Sequence, residues 1–185
     1  MTGQECFLTH SCPDLFLTKA GRQDILLSDV INKKSFIIYH FEKDVRDMLK
    51  DKAYEYFINR DHNCAESALL SISEEYGLDI GPEEMKLVSA FGGGMGCGKL
   101  CGVLAGSMAA LGKLAVNGRA HATEGFGPLC AGLCENFKAG LGSTECAELK
   151  PLYRNDEVRC LKTVELGLDV FEAYAKEKGL VPAKE

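Results

Sequence analysis

The chain has 185 residues, 46% of them hydrophobic and 26% charged, with a formal net charge of −6. This balance suits a single folded domain with a buried core and excludes a disordered chain. No Lys/Arg run exceeds two residues, so the concentrated basic surface that nucleic acid or an anionic membrane requires is missing.

Residues 1–45 carry no helical period and read as an irregular N-terminal extension. Within it, residues 1–12 lack the basic and apolar regions of a secretory signal, and the expectation is a cytoplasmic protein. Residues 35–41 form a short apolar run, strand-like or tucked onto a core. From 46 to 185 the pattern is helical throughout. Val45, Met48, Leu49, Ala53, Tyr56 and Phe57 recur at helical steps and predict a first helix ending near Asn59. Asp61 is expected to cap a second, with Cys64, Ala68 and Ile72 inward and Gly77 as its stop. Gly81-Pro82 followed by Glu83 and Glu84 opens a third, which dissolves at the glycines from Gly92 to Gly94.

A fourth helix is predicted over 99–116, carrying a stripe of small residues, Cys101, Ala105, Ala109 and Gly112. Ser107, Lys113 and the glycines make this stretch a buried core helix rather than a membrane span. Pro128 starts a fifth, with Cys130, Leu133, Cys134 and Phe137 on its apolar face. A short turn follows Ser143, and a final helix runs over 156–178 with Leu161, Val164, Leu168, Phe171 and Ala175 inward. The expectation is an all-α fold, a compact bundle of five or six helices with the extension packed on it.

Nine cysteines are present, and seven of them follow residue 60. In a reducing compartment such a pattern favours metal binding or catalysis over a disulfide framework. Cys64, Cys101 and Cys146 are predicted in first helical turns and Cys160 about one turn into the last helix, where unpaired backbone N–H groups favour thiolate. Cys97/Cys101 and Cys130/Cys134 are four residues apart, a spacing too wide on a helix for an easy disulfide but suited to a metal or cluster. Gly94, Gly96, Gly98 and Gly102 let backbone N–H groups crowd an anion, including cluster sulfide. No Lys-Ser/Thr ending follows, so a P-loop is excluded. The plainer readings are a tight turn for the glycines, free buried thiols for the cysteines, incidental positions for Cys6 and Cys12, and a solvated residue for His62.

The run from Phe91 to Gly96, and then Cys101-Gly102-Val103-Leu104-Ala105-Gly106, resembles the redox-active protein family named for a C-GCAxxG-C-C cysteine pattern. Asn63-Cys64-Ala65 upstream and Cys146 and Cys160 downstream fall in the order that supplies the other three cysteines. The likeness covers about 46–185. It departs at Val103, where the pattern has alanine, and in the additional Cys97, Cys130 and Cys134. The resemblance implies a redox role, and a related domain in split-Soret cytochromes suggests an iron–sulfur centre.

The resulting expectation is an electron-transfer protein whose Cys64, Cys101, Cys146, Cys160 and Cys97, with Cys130 and Cys134 as further candidates, ligate an iron–sulfur cluster and pass electrons to a redox partner protein. Two alternatives stand beside it: an oxidoreductase using Cys101 with Cys64 or Cys146 as redox thiols without metal, and a module that merely holds zinc or copper. Monomer and homodimer are both compatible with the sequence.

Overall fold

The computed structural model describes residues 48–181. The N-terminal extension, with Cys6, Cys12 and the apolar run at 35–41, lies outside the described residues. Among those described there are seven helices and no strand, an all-α fold as expected, with one helix more than the five or six the periods predict.

Helix α1 covers 48–59, its last turn widening into the π-helical Glu55–Asn59. Leu49, Ala53, Tyr56 and Phe57 are buried on one face. Helix α2, Cys64–Tyr76, begins at Asn63 rather than at Asp61. The Asn63 side-chain oxygen accepts from the Ala65 and Glu66 N–H groups at 2.9 and 3.1 Å, and the Glu66 carboxylate accepts from the Asn63 N–H at 2.9 Å. This reciprocal cap satisfies donors that would otherwise be orphaned, and Gly77 in left-handed backbone ends the helix. Helix α3, Pro82–Val88, opens on proline with the Glu84 carboxylate accepting from the Gly81 N–H, and passes into a 3-10 turn at Ser89–Phe91.

Helix α4, Gly102–Ala115, is apolar on nearly every side and forms the centre of the bundle. It starts three residues later than its hydrophobic run, because residues 99–101 are extended. Helix α5, Phe126–Leu141, begins before Pro128. The turn expected after Ser143 is a full helix, α6, Cys146–Tyr153, which makes the bundle one helix richer than foreseen. Helix α7 spans Leu161–Glu177.

The packing is set by small residues at crossings. Helix α4 lies closest to α2, where Gly102 and Gly106 face Ala65 and its neighbours. A Cβ on Gly167 of α7 would come 2.5 Å from Val103 and 2.9 Å from Phe137, so this glycine lets α7 close on α4 and α5. Phe137, Leu133, Leu104, Leu111, Val164, Leu168 and Phe171 fill the space between them.

Candidate functional site

Each of the four cysteines carried by the sequence pattern stands at the very start of a helix. Cys64 and Cys146 are the first residues of α2 and α6, and Cys101 and Cys160 are the N-caps of α4 and α7. The predicted placements were up to one turn deeper. The four cysteines line one small, partly open cavity together with Val103, Leu149, Lys150 and Thr163. Its volume is about 20 Å³, room for roughly one water molecule.

Two of the four are held by backbone. Residues 99–101 and 144–146 lie antiparallel: the Cys101 N–H donates to the Thr144 carbonyl at 2.8 Å, and the Cys146 N–H donates to the Lys99 carbonyl at 2.7 Å. Ser143 shapes the second segment, its buried hydroxyl accepting from the Glu145 N–H and donating to Glu148. Cys101 and Cys146 are accordingly buried, 3% and 6% exposed, whereas Cys64 and Cys160 are half-buried. All seven described cysteines are free thiols.

Burial dominates the electrostatics. It pushes the Cys101 thiol up to about 12; the Val103 and Leu104 backbone N–H groups pull the other way, and charge on Cys64 or Cys146 adds to the rise. Burial also raises Cys146, against Lys150 and Arg154, and raises Cys160, helped by Cys64 and opposed by Arg154. The expectation that helix starts favour thiolate is therefore corrected: at Cys101 the backbone acts in the expected direction, but desolvation outweighs it. Lys150 and Arg154 do not offset that burial, so without a bound cation Cys101, Cys146 and Cys160 keep their protons at neutral pH.

The donor set fits a thiophilic ion or cluster, since four sulfurs converge and the lining holds no imidazole or carboxylate. Spacing is more demanding. Among the described residues no group of three or more Cys, His, Asp or Glu is already drawn in to ion-binding distance. The space between the four cysteines holds about one water molecule, so a cluster with its sulfides needs the walls to move outward.

The other sequence candidates lie elsewhere. Cys97 is exposed in the glycine loop, its thiol directed at the Gly94 carbonyl at 3.5 Å, and it does not line the cavity. Cys130 and Cys134 sit half-buried on α5, both raised by burial, outside the cavity. Gly94 abuts the site, since its Cβ would fall 2.6 Å from the Cys146 Cβ, and Gly98 lies beside Ala147. Gly96 meets nothing within 4 Å, and Gly102 faces Cys64. His62 pairs with Glu66 at 3.7 Å. Lys150 is the lining residue the sequence reading passed over, although its place one helical turn after Cys146 was legible.

Fold and site together define an all-α protein in which four cysteines line one small cavity. The chain belongs to the family described as "Putative redox-active protein (C_GCAxxG_C_C)", whose model matches residues 62–174. It is also similar to an uncharacterized protein of Archaeoglobus fulgidus, 28% identical over 104 residues, covering 51% of this chain and 69% of the relative. No solved structure matches. Among the described residues no helix is long and apolar enough to cross a membrane.

Proposed function

We propose that Cys64, Cys101, Cys146 and Cys160 form one redox-active centre, a thiolate-ligated metal site of iron–sulfur type that exchanges electrons with a partner protein. The observation that carries this reading is the convergence of four cysteines, from four helix starts, on one small cavity. A dithiol couple would need only two. When bound, such a group supplies reversible one-electron chemistry. The chain's own part is to release the thiol protons, to offset the resulting negative charge with helix N-termini and Lys150, and to exclude water with Val103 and Leu149.

A second reading is favoured by the small cavity: a dithiol couple of Cys64 and Cys101. Here the half-buried Cys64 attacks a disulfide of a partner protein, forming a mixed disulfide and releasing one partner thiol. Cys101 then attacks Cys64, forming the Cys64–Cys101 disulfide and releasing the second. Two electrons pass to the partner, which is reduced as the pair is oxidised.

Anaerobic purification with iron, zinc, copper and acid-labile sulfide analysis separates the readings. The first expects brown protein whose visible absorption bleaches on reduction and is lost on serine replacement of any of the four cysteines. Colourless, metal-free protein that loses two thiols reversibly supports the second. Stoichiometric zinc or copper without sulfide indicates a holding module, and colourless protein with neither metal nor a thiol change sinks both.

A further inference from the structure

Asp61 and Arg159 are non-glycine residues with left-handed backbone, at φ 55° and 54°. They are far apart in sequence, yet they are bonded to each other. Arg159 Nη1 donates to the Asp61 carboxylate at 2.8 Å, Nη2 donates to the Phe57 carbonyl, and the guanidinium lies 4.5 Å over the Phe57 ring. The Phe57 carbonyl is available because α1 ends in a wide turn. There the Arg60 N–H goes to the Glu55 carbonyl at 2.9 Å, and the His62 N–H reaches past to Tyr56 at 3.0 Å. On the other side, the Asn155 N–H donates to the Arg159 carbonyl at 3.1 Å and the Asn155 side chain accepts from the Val158 N–H at 2.8 Å. The turn before α7 is thus closed on itself, and the Arg159 side chain reaches across to the turn before α2.

Each partner lies just before a cysteine of the centre: Arg159 adjoins Cys160, and Asp61 is three residues before Cys64. An exposed ion pair stabilises little by itself, and left-handed backbone at two non-glycine residues, above all at Arg159, opposes it. Such an arrangement persists where surrounding contacts fix it, and here they fix the entrances to two thiols. We propose that Asp61 and Arg159 form a clasp that sets Cys64 against Cys160, so that both are positioning residues of the centre. Cys101 and Cys146 are set by their backbone pairing and do not depend on it. The inference rests on the four-cysteine reading of the site.

The test is alkylation of the reduced, metal-free full-length protein with iodoacetamide, resolved by cysteine through peptide mass spectrometry. Arg159→Gly and Asp61→Gly suit it, because glycine accepts the left-handed backbone and the variants lose the clasp without added strain. Modification of Cys64 and Cys160 should speed up by about tenfold, with Cys101 and Cys146 changed less than about twofold, as local opening of one segment predicts. Arg159→Lys, which keeps the charge and loses the fork, should fall between wild type and Arg159→Gly. Unchanged rates at Cys64 and Cys160 overturn the clasp, and so does an equal rise at all four thiols. The readout is independent of what the centre carries. A selective rise in a protein without redox chemistry keeps the clasp and removes the centre; unchanged rates beside a working centre do the reverse.

Discussion

Gly102 stands where any side chain would collide with Cys64: a Cβ there would come 2.5 Å from the Cys64 sulfur and 2.9 Å from the Phe91 carbonyl. Cys64 is in turn the common neighbour of the centre, since its charge would raise Cys101, Cys146 and Cys160 alike. The motif glycine and the hub cysteine are therefore one constraint. Gly102→Ala should destabilise by about 1–3 kcal/mol in urea unfolding, the usual range for overpacking, and should change the alkylation rate of Cys64. The sulfur can rotate aside; the Phe91 carbonyl cannot. Gly106→Ala presses on the Ala65 carbonyl instead, so it should cost at least as much while leaving thiol reactivity nearer to wild type.

Stability of the reduced, metal-free protein should fall in alkali. Burial raises Cys101 from an ordinary 9 to about 12, so above pH 9 the unfolded chain gives up a proton that the folded chain retains. The unfolded state then binds fewer protons, and the slope of unfolding free energy with pH is negative. The contribution is intact below pH 9 and is lost as pH rises toward 12, on the order of a few kcal/mol in all. Cys146 and Cys160 shift the same way and add to the loss. Urea midpoints measured at pH 8 and pH 10.5 should show the drop, and Cys101→Ser should reduce it. Equal midpoints would mean that the Cys101 thiol is not desolvated.

Metal uptake should carry the same protons in the opposite role. Ligation requires thiolates, and three of the four thiols are held protonated by burial. Titration of the reduced protein with zinc or ferrous iron in weak buffer should release several protons per ion, with affinity rising steeply between pH 6 and pH 8. A pH-independent affinity would place the binding elsewhere than this cavity.

The helical fold was legible because its apolar residues recur at three- and four-residue steps, and burial follows those steps at Leu49, Ala53, Phe57 and along α7. The helix starts were less so. Asp61 and Ser143 look like caps, but Asp61 turns its carboxylate to Arg159, a partner that no local pattern announces. The closest approach to α2 falls on Gly102 and Gly106, one residue on from Cys101 and Ala105 of the expected stripe, while Gly112 at its end meets nothing within 4 Å. The four motif cysteines were legible as a set, and their convergence depends on the pairing of residues 99–101 with 144–146, a long-range contact. Cys130 and Cys134 show why spacing alone misleads: a four-residue step puts two thiols on one side of a helix without saying which side meets the site.

Asn63 offers a test of how the cap before Cys64 supports the centre. Its side-chain oxygen holds the Ala65 and Glu66 N–H groups, and its amide nitrogen donates to the Ser89 carbonyl at 2.8 Å, which ties the start of α2 to the turn after α3. Gly92 packs directly on it, with room for no side chain: a Cβ there would come 2.9 Å from the Asn63 side chain. Asn63→Ala removes both functions and should cost about 1–2 kcal/mol, the range for loss of an N-cap. Asn63→Asp keeps the cap acceptor but loses the donor and sets a carboxylate against the Ser89 carbonyl. If capping alone matters, Asn63→Asp should match wild type in both urea midpoint and Cys64 alkylation. If the tie to Ser89 also places Cys64, Asn63→Asp should hold most of the stability yet speed Cys64 alkylation as Asn63→Ala does. The geometry favours the second outcome, because the Ser89 bond and the Gly92 contact approach α2 at the residue immediately before the thiol.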